Sequence, residues 1–410
     1  MAKSSKSGVK ILRSIVCPNC WREFPPAHVR FISESPRLRG DPVLGPLEQL
    51  RFRAMRFDAA GNAIDPDDAR CNRIACPACH IEVPRALIEL RSRPISVVGA
   101  PGSGKTNLLA SGLWGLAQRA RDFGLEVVDA DPRFNTTLHR NQNQLFASLN
   151  SDADVTLPKT EEGGNELYRT VRINGNEEMV PRPSFFVTRQ EGSASRNVMV
   201  LYDNAGEHFL AGATAIGSDS ATRHLERSNA IIMVFDPMQD HRFRSRFATG
   251  IDAPHTAGHQ RQELVFTEAI ARIRRLRGLD PSAPVSIPIV VTLTKADAWA
   301  DTALGNDWDA LDLPASIDER RHALVAKLRE VDRRVRRAIS QVAPEFVNAV
   351  SSLAEQVWFV PASALGTSPT RGPQGEFSLR ATDIRPRWPE MPFVLSLALA
   401  DPKAYSMLAS

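Results

Sequence analysis

The chain has 410 residues, of which 42% are hydrophobic and 24% are charged, and its formal net charge is +4. This composition is ordinary for a soluble globular protein, and the length predicts about two or three domains. No run approaches the roughly eighteen apolar residues of a transmembrane helix, and no apolar segment follows the basic residues 1–10. We therefore predict a disordered tail over residues 1–10, no membrane span and a cytoplasmic protein.

All five cysteines lie before residue 80, and four of them form two C-P-x-C pairs. In a cysteine-poor chain, this spacing predicts a tetrahedral Zn²⁺ site rather than disulfides. The predicted zinc ligands are Cys17, Cys20, Cys76 and Cys79. Cys71, His28 and His80 are spare candidates; Cys71 is interpreted as a bystander thiol, and His80 is expected to point away from the metal. Residues 11–92 are thus predicted to form a zinc-ribbon-like module, with an insertion over residues 21–75.

A glycine-rich loop follows a short apolar strand and precedes an apolar helix. The segment Gly99-Ala100-Pro101-Gly102-Ser103-Gly104-Lys105-Thr106 fits the pattern G-x-x-x-x-G-K-[ST], and this context favours a phosphate-binding loop. Its backbone N–H groups and the helix N-terminus attract an anion. Lys105 is expected to reach the β- and γ-phosphates, and the Thr106 hydroxyl to ligate Mg²⁺. Asn107, the next residue, is included in the predicted binding set.

A later apolar strand runs directly into the segment Asp203-Asn204-Ala205-Gly206, so the Asp203 carboxylate lies at the end of that strand. An aspartate in this position can hold Mg²⁺, and the glycine of a D-x-x-G motif can contact the γ-phosphate. We therefore predict Asp203 as a magnesium ligand and Gly206 as a phosphate contact.

Two further strands end in residues suited to a guanine base. Thr294-Lys295-Ala296-Asp297 fits [NT]-K-x-D, in which the aspartate accepts hydrogen bonds from guanine N1–H and its 2-amino group. In this motif the lysine stem covers the base, and Thr294 supports the loop. The segment Ser363-Ala364-Leu365 follows the last strand, where a backbone N–H can contact guanine O6.

These motifs occur in the order phosphate loop, D-x-x-G, T-K-x-D and S-A-L, each at the carboxyl end of a predicted strand, where open α/β sheets bind ligands. On these residues, the chain resembles the P-loop GTPases of the translation-factor and Ras-like superfamily over roughly Pro94 to Ala400, which predicts a GTPase domain over residues 93–405. With the cysteine pairs in front, the chain looks most like the bacterial double-GTPase families of multi-gene defence systems. The resemblance implies a three-layer α/β fold, with helices on both faces of a mostly parallel sheet. It also implies slow hydrolysis of GTP to GDP, dependent on a protein effector or on a second copy of the chain.

The chain departs from the family pattern at the residues that are expected to position the water that attacks the γ-phosphate. The family uses a switch threonine to contact Mg²⁺ and the γ-phosphate, for which Thr160 is our candidate and Thr156 the second choice. Glu207 follows Gly206 where relatives carry a glutamine, and His208 comes next. We interpret Glu207 and His208 as candidates for positioning the water, and Arg189 or Arg196 as candidates for an arginine finger.

Other interpretations stay open at this point. The chain could be a nucleotide-binding scaffold without turnover, a P-loop ATPase, or a zinc-ribbon nucleic-acid binder regulated by the P-loop domain. Lys and Arg outnumber Asp and Glu by fifteen to ten before residue 93, a weak bias toward an acidic partner. Residues 317–352 are predicted to form one amphipathic helix with a solvated basic face.

Overall fold

The structure is a computed structural model of the chain. It describes residues 12–146, 154–156, 168–173, 176–203, 222–248, 262–368, 370–371, 377–403 and 405. The predicted tail over residues 1–10 lies outside these ranges.

Short antiparallel strands and hairpins form the cysteine module. Strands β9 and β3 are central in a four-stranded sheet of order β10-β9-β3-β6, and β1–β2, β4–β5 and β7–β8 are separate pairs. The segment between the two cysteine pairs therefore forms hairpins of its own. The bounds are β1 Ile15–Val16, β2 Glu23–Phe24, β3 Arg30–Ile32, β4 Arg39–Asp41, β5 Gly45–Gln49, β6 Arg51–Phe52, β7 Ala63–Ile64, β8 Arg70–Cys71, β9 Ile74–Ala75 and β10 Glu82–Val83.

A seven-stranded sheet forms the centre of the remaining chain. Its strands are β11 Arg91–Gly99, β12 Leu125–Asp129, β16 Ser184–Gln190, β17 Arg196–Asp203, β18 Ala230–Phe235, β19 Ile289–Leu293 and β20 Val357–Pro361. The spatial order is β12-β16-β17-β11-β18-β19-β20. The strands from β17 to β20 are parallel, and β16 pairs antiparallel with both of its neighbours. Apolar residues fill the central strands because both faces of this sheet are covered.

Within the described residues, five further strands of this part of the chain lie outside the sheet. A separate hairpin pairs β14 with β15, and a three-stranded sheet has the order β13-β22-β21. Their bounds are β13 Asp154–Thr156, β14 Tyr168–Ile173, β15 Asn176–Pro181, β21 Thr370–Arg371 and β22 Phe377–Arg380.

Helices and the cysteine module pack against the seven-stranded sheet. Alternate residues of β17 face opposite ways: Met199 and Leu201 join the core under α2, while Val200 and Tyr202 join the core of the cysteine module. The helices are α1 Ala86–Glu89, α2 Lys105–Arg119, α3 Thr136–Phe146, α4 His224–Arg227, α5 His241–Phe247, α6 Gln262–Arg277, α7 Ala300–Leu304, α8 Ile317–Ser340, α9 Pro344–Ser351 and α10 Met391–Ala400. The predicted fold class, a mixed α/β protein with a mostly parallel sheet, is confirmed.

One predicted element is wrong in extent. Residues 317–352 form two helices, α8 and α9, rather than one, because the chain turns over residues 341–343 ahead of Pro344. Proline lacks an N–H group and disfavours helical geometry in the residue before it, so it begins a helix here rather than continuing one.

Candidate functional site

The predicted phosphate loop joins the central strand β11 to α2, as its motif predicts. Gly102 and Gly104 have φ angles of 71° and 89°, which side-chain-bearing residues rarely adopt. Gly99 allows a close approach to β18, because a Cβ atom there would lie 2.7 Å from the carbonyl oxygen of Val234. Lys105 Nζ donates to the carbonyl oxygens of Gly99 and Ala100, at 2.7 and 3.0 Å. The side chain of Lys105 thus folds back onto carbonyl groups of the glycine-rich loop that precedes it.

The T-K-A-D segment is tied directly to this loop. The hydroxyl of Thr294 donates to the carbonyl oxygen of Ser103 at 2.8 Å, and its backbone N–H donates to Phe235 O at 2.9 Å. Thr294 and Ser103 are both buried. One threonine therefore fixes the loop after β19 against the glycine-rich loop after β11, although the two are 191 residues apart in sequence.

Lys295 has a buried acidic partner that the sequence analysis missed. Its φ angle is 55°, and its Nζ lies 2.6 Å from Asp236 Oδ2. Asp236 follows β18 and is fully buried; the side-chain amide of Gln262 bonds both its backbone N–H and its carbonyl oxygen. The signal in the sequence was a carboxylate directly after an apolar strand, the same pattern that identified Asp203.

Asp297 lies beside the last motif. The hydroxyl of Ser363 donates to the carboxylate of Asp297, and it accepts a hydrogen bond from the Gly366 N–H at 2.8 Å. Burial raises the pKa of Asp297 above its ordinary value. The N–H of Ser363 donates to the carbonyl oxygen of Arg387 at 2.8 Å.

Thr106 and Asp203 line the same cavity, of about 300 Å³, at the carboxyl edge of the sheet. Thr106 lies in the first turn of α2, and Asp203 ends β17 in register with Val97 of β11. Hydroxyl and carboxylate oxygens are the ligands that Mg²⁺ prefers, so these two residues fit a magnesium ion.

Several predicted site residues lie outside the described residues or away from this cavity. Gly206, Glu207, His208 and Thr160 lie outside the described residues, and so does the side chain of Thr156. Arg189 pairs with Glu126 across β16 and β12, with Nε–Oε2 at 2.9 Å. Arg196 begins β17, at the opposite end of the strand from Asp203. Neither arginine reaches the predicted phosphate region.

The four predicted cysteine ligands form one buried cluster. Their sulfur atoms lie within 4.8 Å of one another, with Cys17 Sγ and Cys79 Sγ 3.8 Å apart and Cys20 Sγ and Cys76 Sγ 3.7 Å apart. Four sulfurs at about 2.3 Å from a tetrahedral Zn²⁺ are about 3.8 Å apart, so the cluster fits that ion. Burial raises the pKa of the Cys17 thiol, and a bound cation would favour the thiolate instead.

The two C-P-x-C turns have the same backbone geometry. Trp21 and His80, which follow the second cysteine of each turn, have φ angles of 64° and 58°. Their N–H groups donate to the carbonyl oxygens of Cys17 and Cys76, at 3.1 and 3.0 Å. Each turn therefore points two sulfurs to one side, as a metal knuckle requires.

The spare candidate ligands lie outside this cluster. Cys71 is buried, with its Sγ 3.6 Å from Asp65 Oδ2, and burial raises the pKa of its thiol to about 11. His80 Nδ1 lies 2.7 Å from Asp41 Oδ2. His28 lies on the exposed surface. The Cys71 thiol is buried and largely protonated, and the imidazole of His80 contacts a carboxylate, so each has a partner outside the cluster.

The first knuckle contacts the strand that carries Asp203. The hydroxyl of Tyr202 donates to the carbonyl oxygen of Pro18 at 2.8 Å, and the rings of Trp21 and Tyr202 are 5.4 Å apart. The ring of Tyr202 also stacks on that of His224, with the ring centroids 4.6 Å apart. The predicted metal site and the predicted magnesium ligand are thus joined through one buried tyrosine.

The sequence matches no protein-family model and no curated protein. Among solved structures, the chain is similar to one titled "Crystal Structure Analysis of sup35 complexed with GDP", with 13% sequence identity and a TM-score of 0.26. The match covers 67% of this chain and 38% of that one. A likeness this weak assigns neither family nor function, and the narrower resemblance to double-GTPase families stays a prediction. In the described residues, no helix combines the length and the apolar character needed to cross a bilayer.

Proposed function

We propose that the chain is a GTP-binding molecular switch that hydrolyses GTP slowly, with a protein partner or a second copy accelerating the reaction. The observation that carries this proposal is the junction between two loops: Thr294 of the T-K-A-D segment bonds Ser103 of the glycine-rich loop. A base-binding loop and a phosphate-binding loop held at this spacing suit one nucleotide that spans both.

Guanine selectivity is proposed to come from Asp297. Its carboxylate accepts hydrogen bonds, and guanine offers two donors on one edge, whereas adenine offers none in that arrangement. Because Asp297 is largely buried and already bonded by Ser363, its orientation is fixed before a base arrives. A buried polar group left without its partner discriminates strongly against the wrong ligand.

Residues at the other end of the site are proposed to hold the phosphates. Lys105 would exchange its two loop carbonyls for phosphate oxygens, and Thr106 and Asp203 would hold Mg²⁺. A bound Mg²⁺ neutralises charge that develops on the phosphates. We propose Glu207 and His208 as the residues that position water, with Gly206 and Thr160 as the γ-phosphate contacts. A carboxylate in place of glutamine would repel the γ-phosphate, which is why we propose slow turnover.

The cysteine cluster is proposed to hold a structural Zn²⁺ ion. All four candidate ligands are cysteines and all are buried, which describes a closed site with no open position for a substrate. The proposed division of the chain is a tail over residues 1–10, a zinc module over residues 11–92 and a nucleotide domain over residues 93–405.

Changing Asp297 to Asn should move the preference of the protein from guanine toward xanthine nucleotides. The asparagine amide donates where the carboxylate accepted, so it suits the 2-oxo group of xanthine. Because hydrogen bonds to a charged group are lost, GDP should bind at least about tenfold more weakly. Competition binding with GDP, XDP and ADP, on wild type and variant at matched Mg²⁺, measures this change.

Three results would redirect the proposal. Equal binding of ADP and GDP by the wild type would indicate a P-loop ATPase and contradict guanine recognition. Tight GDP binding with phosphate release no faster than in the Lys105→Ala variant would indicate a scaffold without turnover. An unchanged preference in Asp297→Asn would remove Asp297 from its proposed role.

A further inference from the structure

Arginines line the cavity that also contains Thr106 and Asp203. The cavity lies where the cysteine module meets the sheet, and Asn19 of the first knuckle forms part of its wall. Its size, about 300 Å³, exceeds the roughly 30 Å³ that one water molecule occupies in the liquid, so an anionic group fits within it. The four arginines in the wall are Arg73, Arg133, Arg169 and Arg182.

Two of these arginines are already neutralised by carboxylates. Arg73 Nε donates to Glu82 Oε1 at 3.0 Å, and Arg133 lies 3.3 Å from the same oxygen. Arg133 also forms a bidentate pair with Asp131, from Nε to Oδ1 and from Nη2 to Oδ2. These contacts hold both side chains in the wall and leave little of their charge for a ligand.

The other two arginines have no such partner in the residues that the structure describes. Arg182 donates from Nε to the carbonyl oxygen of Tyr168 at 3.2 Å, and the buried Nε of Arg169 makes no hydrogen bond there. Burial lowers the pKa of Arg169, and the neighbouring Arg182 lowers it further. Guanidinium groups nevertheless stay charged in proteins, so both arginines bring positive charge to the cavity, which the charge of Glu82 in the same wall offsets in part.

Two helix N-termini add to this positive potential. Thr106 lies in the first turn of α2, and Thr136 and Thr137 begin α3; all three residues line the cavity. The N-terminus of a helix carries partial positive charge and free N–H groups, which favour anions. Arginine side chains and helix ends therefore indicate the same class of ligand.

We propose that this cavity binds a phosphoryl group through the guanidinium groups of Arg169 and Arg182. The proposal deepens the proposed function, on which it rests for the placement of a nucleotide beside Thr106 and Asp203. Planar guanidinium groups make paired hydrogen bonds to phosphate oxygens, which a lysine cannot reproduce. The phosphoryl group has two sources: the terminal phosphate of bound GTP, or inorganic phosphate that remains after cleavage.

Arg169 also interacts electrostatically with the cysteine cluster, so the test must separate effects on metal binding from effects on ligand binding. Cys79, Glu82 and Cys17 oppose the lowering of the Arg169 pKa by burial, so its guanidinium lies in the field of the cysteine cluster and of Glu82. An alanine at this position could therefore weaken metal binding as well. The Arg169→Lys variant keeps the positive charge, and Arg182 is an exposed side chain whose removal spares the core.

The first arm compares a non-hydrolysable GTP analogue with GDP. We expect Arg169→Lys and Arg182→Ala each to weaken binding of the analogue by about tenfold or more, because charge-assisted hydrogen bonds are lost, and to change GDP affinity by less than about twofold. The matched control is Arg196→Ala, an exposed arginine at the far end of β17. Zinc content is measured for every variant, and each should match the wild type.

The second arm tests inorganic phosphate directly. Phosphate added to the GDP·Mg²⁺ complex should raise the unfolding temperature of the wild type and of Arg196→Ala, and it should leave Arg169→Lys and Arg182→Ala unchanged. Chloride at equal ionic strength controls for screening. A response in this arm alone assigns the cavity to free phosphate, and a response in the first arm alone assigns it to the terminal phosphate.

The two proposals fail in different ways. If GDP binds to the wild type and not to Lys105→Ala, while both arginine variants match Arg196→Ala in both arms, the phosphoryl site is wrong and nucleotide binding stands. If guanine nucleotides do not bind but phosphate stabilises the wild type through the two arginines, the site stands and the proposed function falls.

Discussion

Replacing Cys17 and Cys79 together with serine should remove the bound zinc and unfold the cysteine module. Serine cannot supply the thiolates, and structural zinc contributes about 10–16 kcal/mol in small zinc domains, which is as large as the total stability of a typical protein. Because Tyr202 joins the module to the strand of Asp203, GDP affinity should fall with the metal. Zinc analysis, thermal unfolding and GDP binding measure the three effects on one preparation.

Cys71→Ser is the matched control for this experiment. Cys71 is as buried as the ligands and belongs to the same apolar core, but it contacts Asp65 rather than the cluster. We expect this variant to keep its zinc and to unfold near the wild-type temperature. Full zinc content in the Cys17/Cys79 variant, or equal zinc loss in Cys71→Ser, would show that the four-cysteine cluster does not hold the metal.

Replacing Thr294 with valine should weaken the binding of GDP by about ten- to a hundredfold. The substitution keeps the shape of the side chain but removes the hydroxyl that bonds Ser103, and a buried acceptor left unsatisfied costs about 1–3 kcal/mol. The base loop and the phosphate loop then no longer share a hydrogen bond. GDP titration measures the loss, and Thr294→Ser, which keeps the hydroxyl, should recover most of it.

Thr292→Val provides a control on β19, the strand that precedes Thr294. Thr292 is fully buried two residues earlier in β19, and within the described structure its hydroxyl has no hydrogen-bond partner. Valine at this position should therefore leave GDP affinity unchanged and keep or raise the unfolding temperature. Equal losses of affinity in the two valine variants would trace the effect to strand packing, and the proposed link between the loops would be wrong.

The sheet was predictable because its strands are short, apolar and bounded by motifs. Each central strand lies in a layered core and so carries a continuous apolar run, such as Ala230–Phe235 in β18. The antiparallel orientation of β16 could not be predicted in this way, because an apolar run in the sequence does not indicate whether the neighbouring strand is parallel or antiparallel. The break before Pro344 was within reach, since a proline inside a predicted helix commonly begins a new one.

The candidate site was only partly predictable, and the reason is distance along the chain. Motifs such as T-K-A-D are local, so they were found by spacing alone. Asp236 carries the same local signal as Asp203 but has no named pattern, and it was missed. Arg169 and Arg182 carry no local signal at all; they matter only because the β14–β15 hairpin brings them to the cavity beside Asp203. The residues proposed to contact the attacking water stay predictions.

The shared core of the module and the sheet has a consequence for synthesis of the protein. The cysteine module is complete at Val83, yet Phe185, Val198 and Tyr202, which cover its apolar side, come about 100 to 120 residues later. At ribosomal rates of about 5–20 residues per second, this delay lasts roughly 5–25 seconds. During that interval the nascent module exposes apolar surface, which is prone to aggregation until the residues of β16 and β17 cover it.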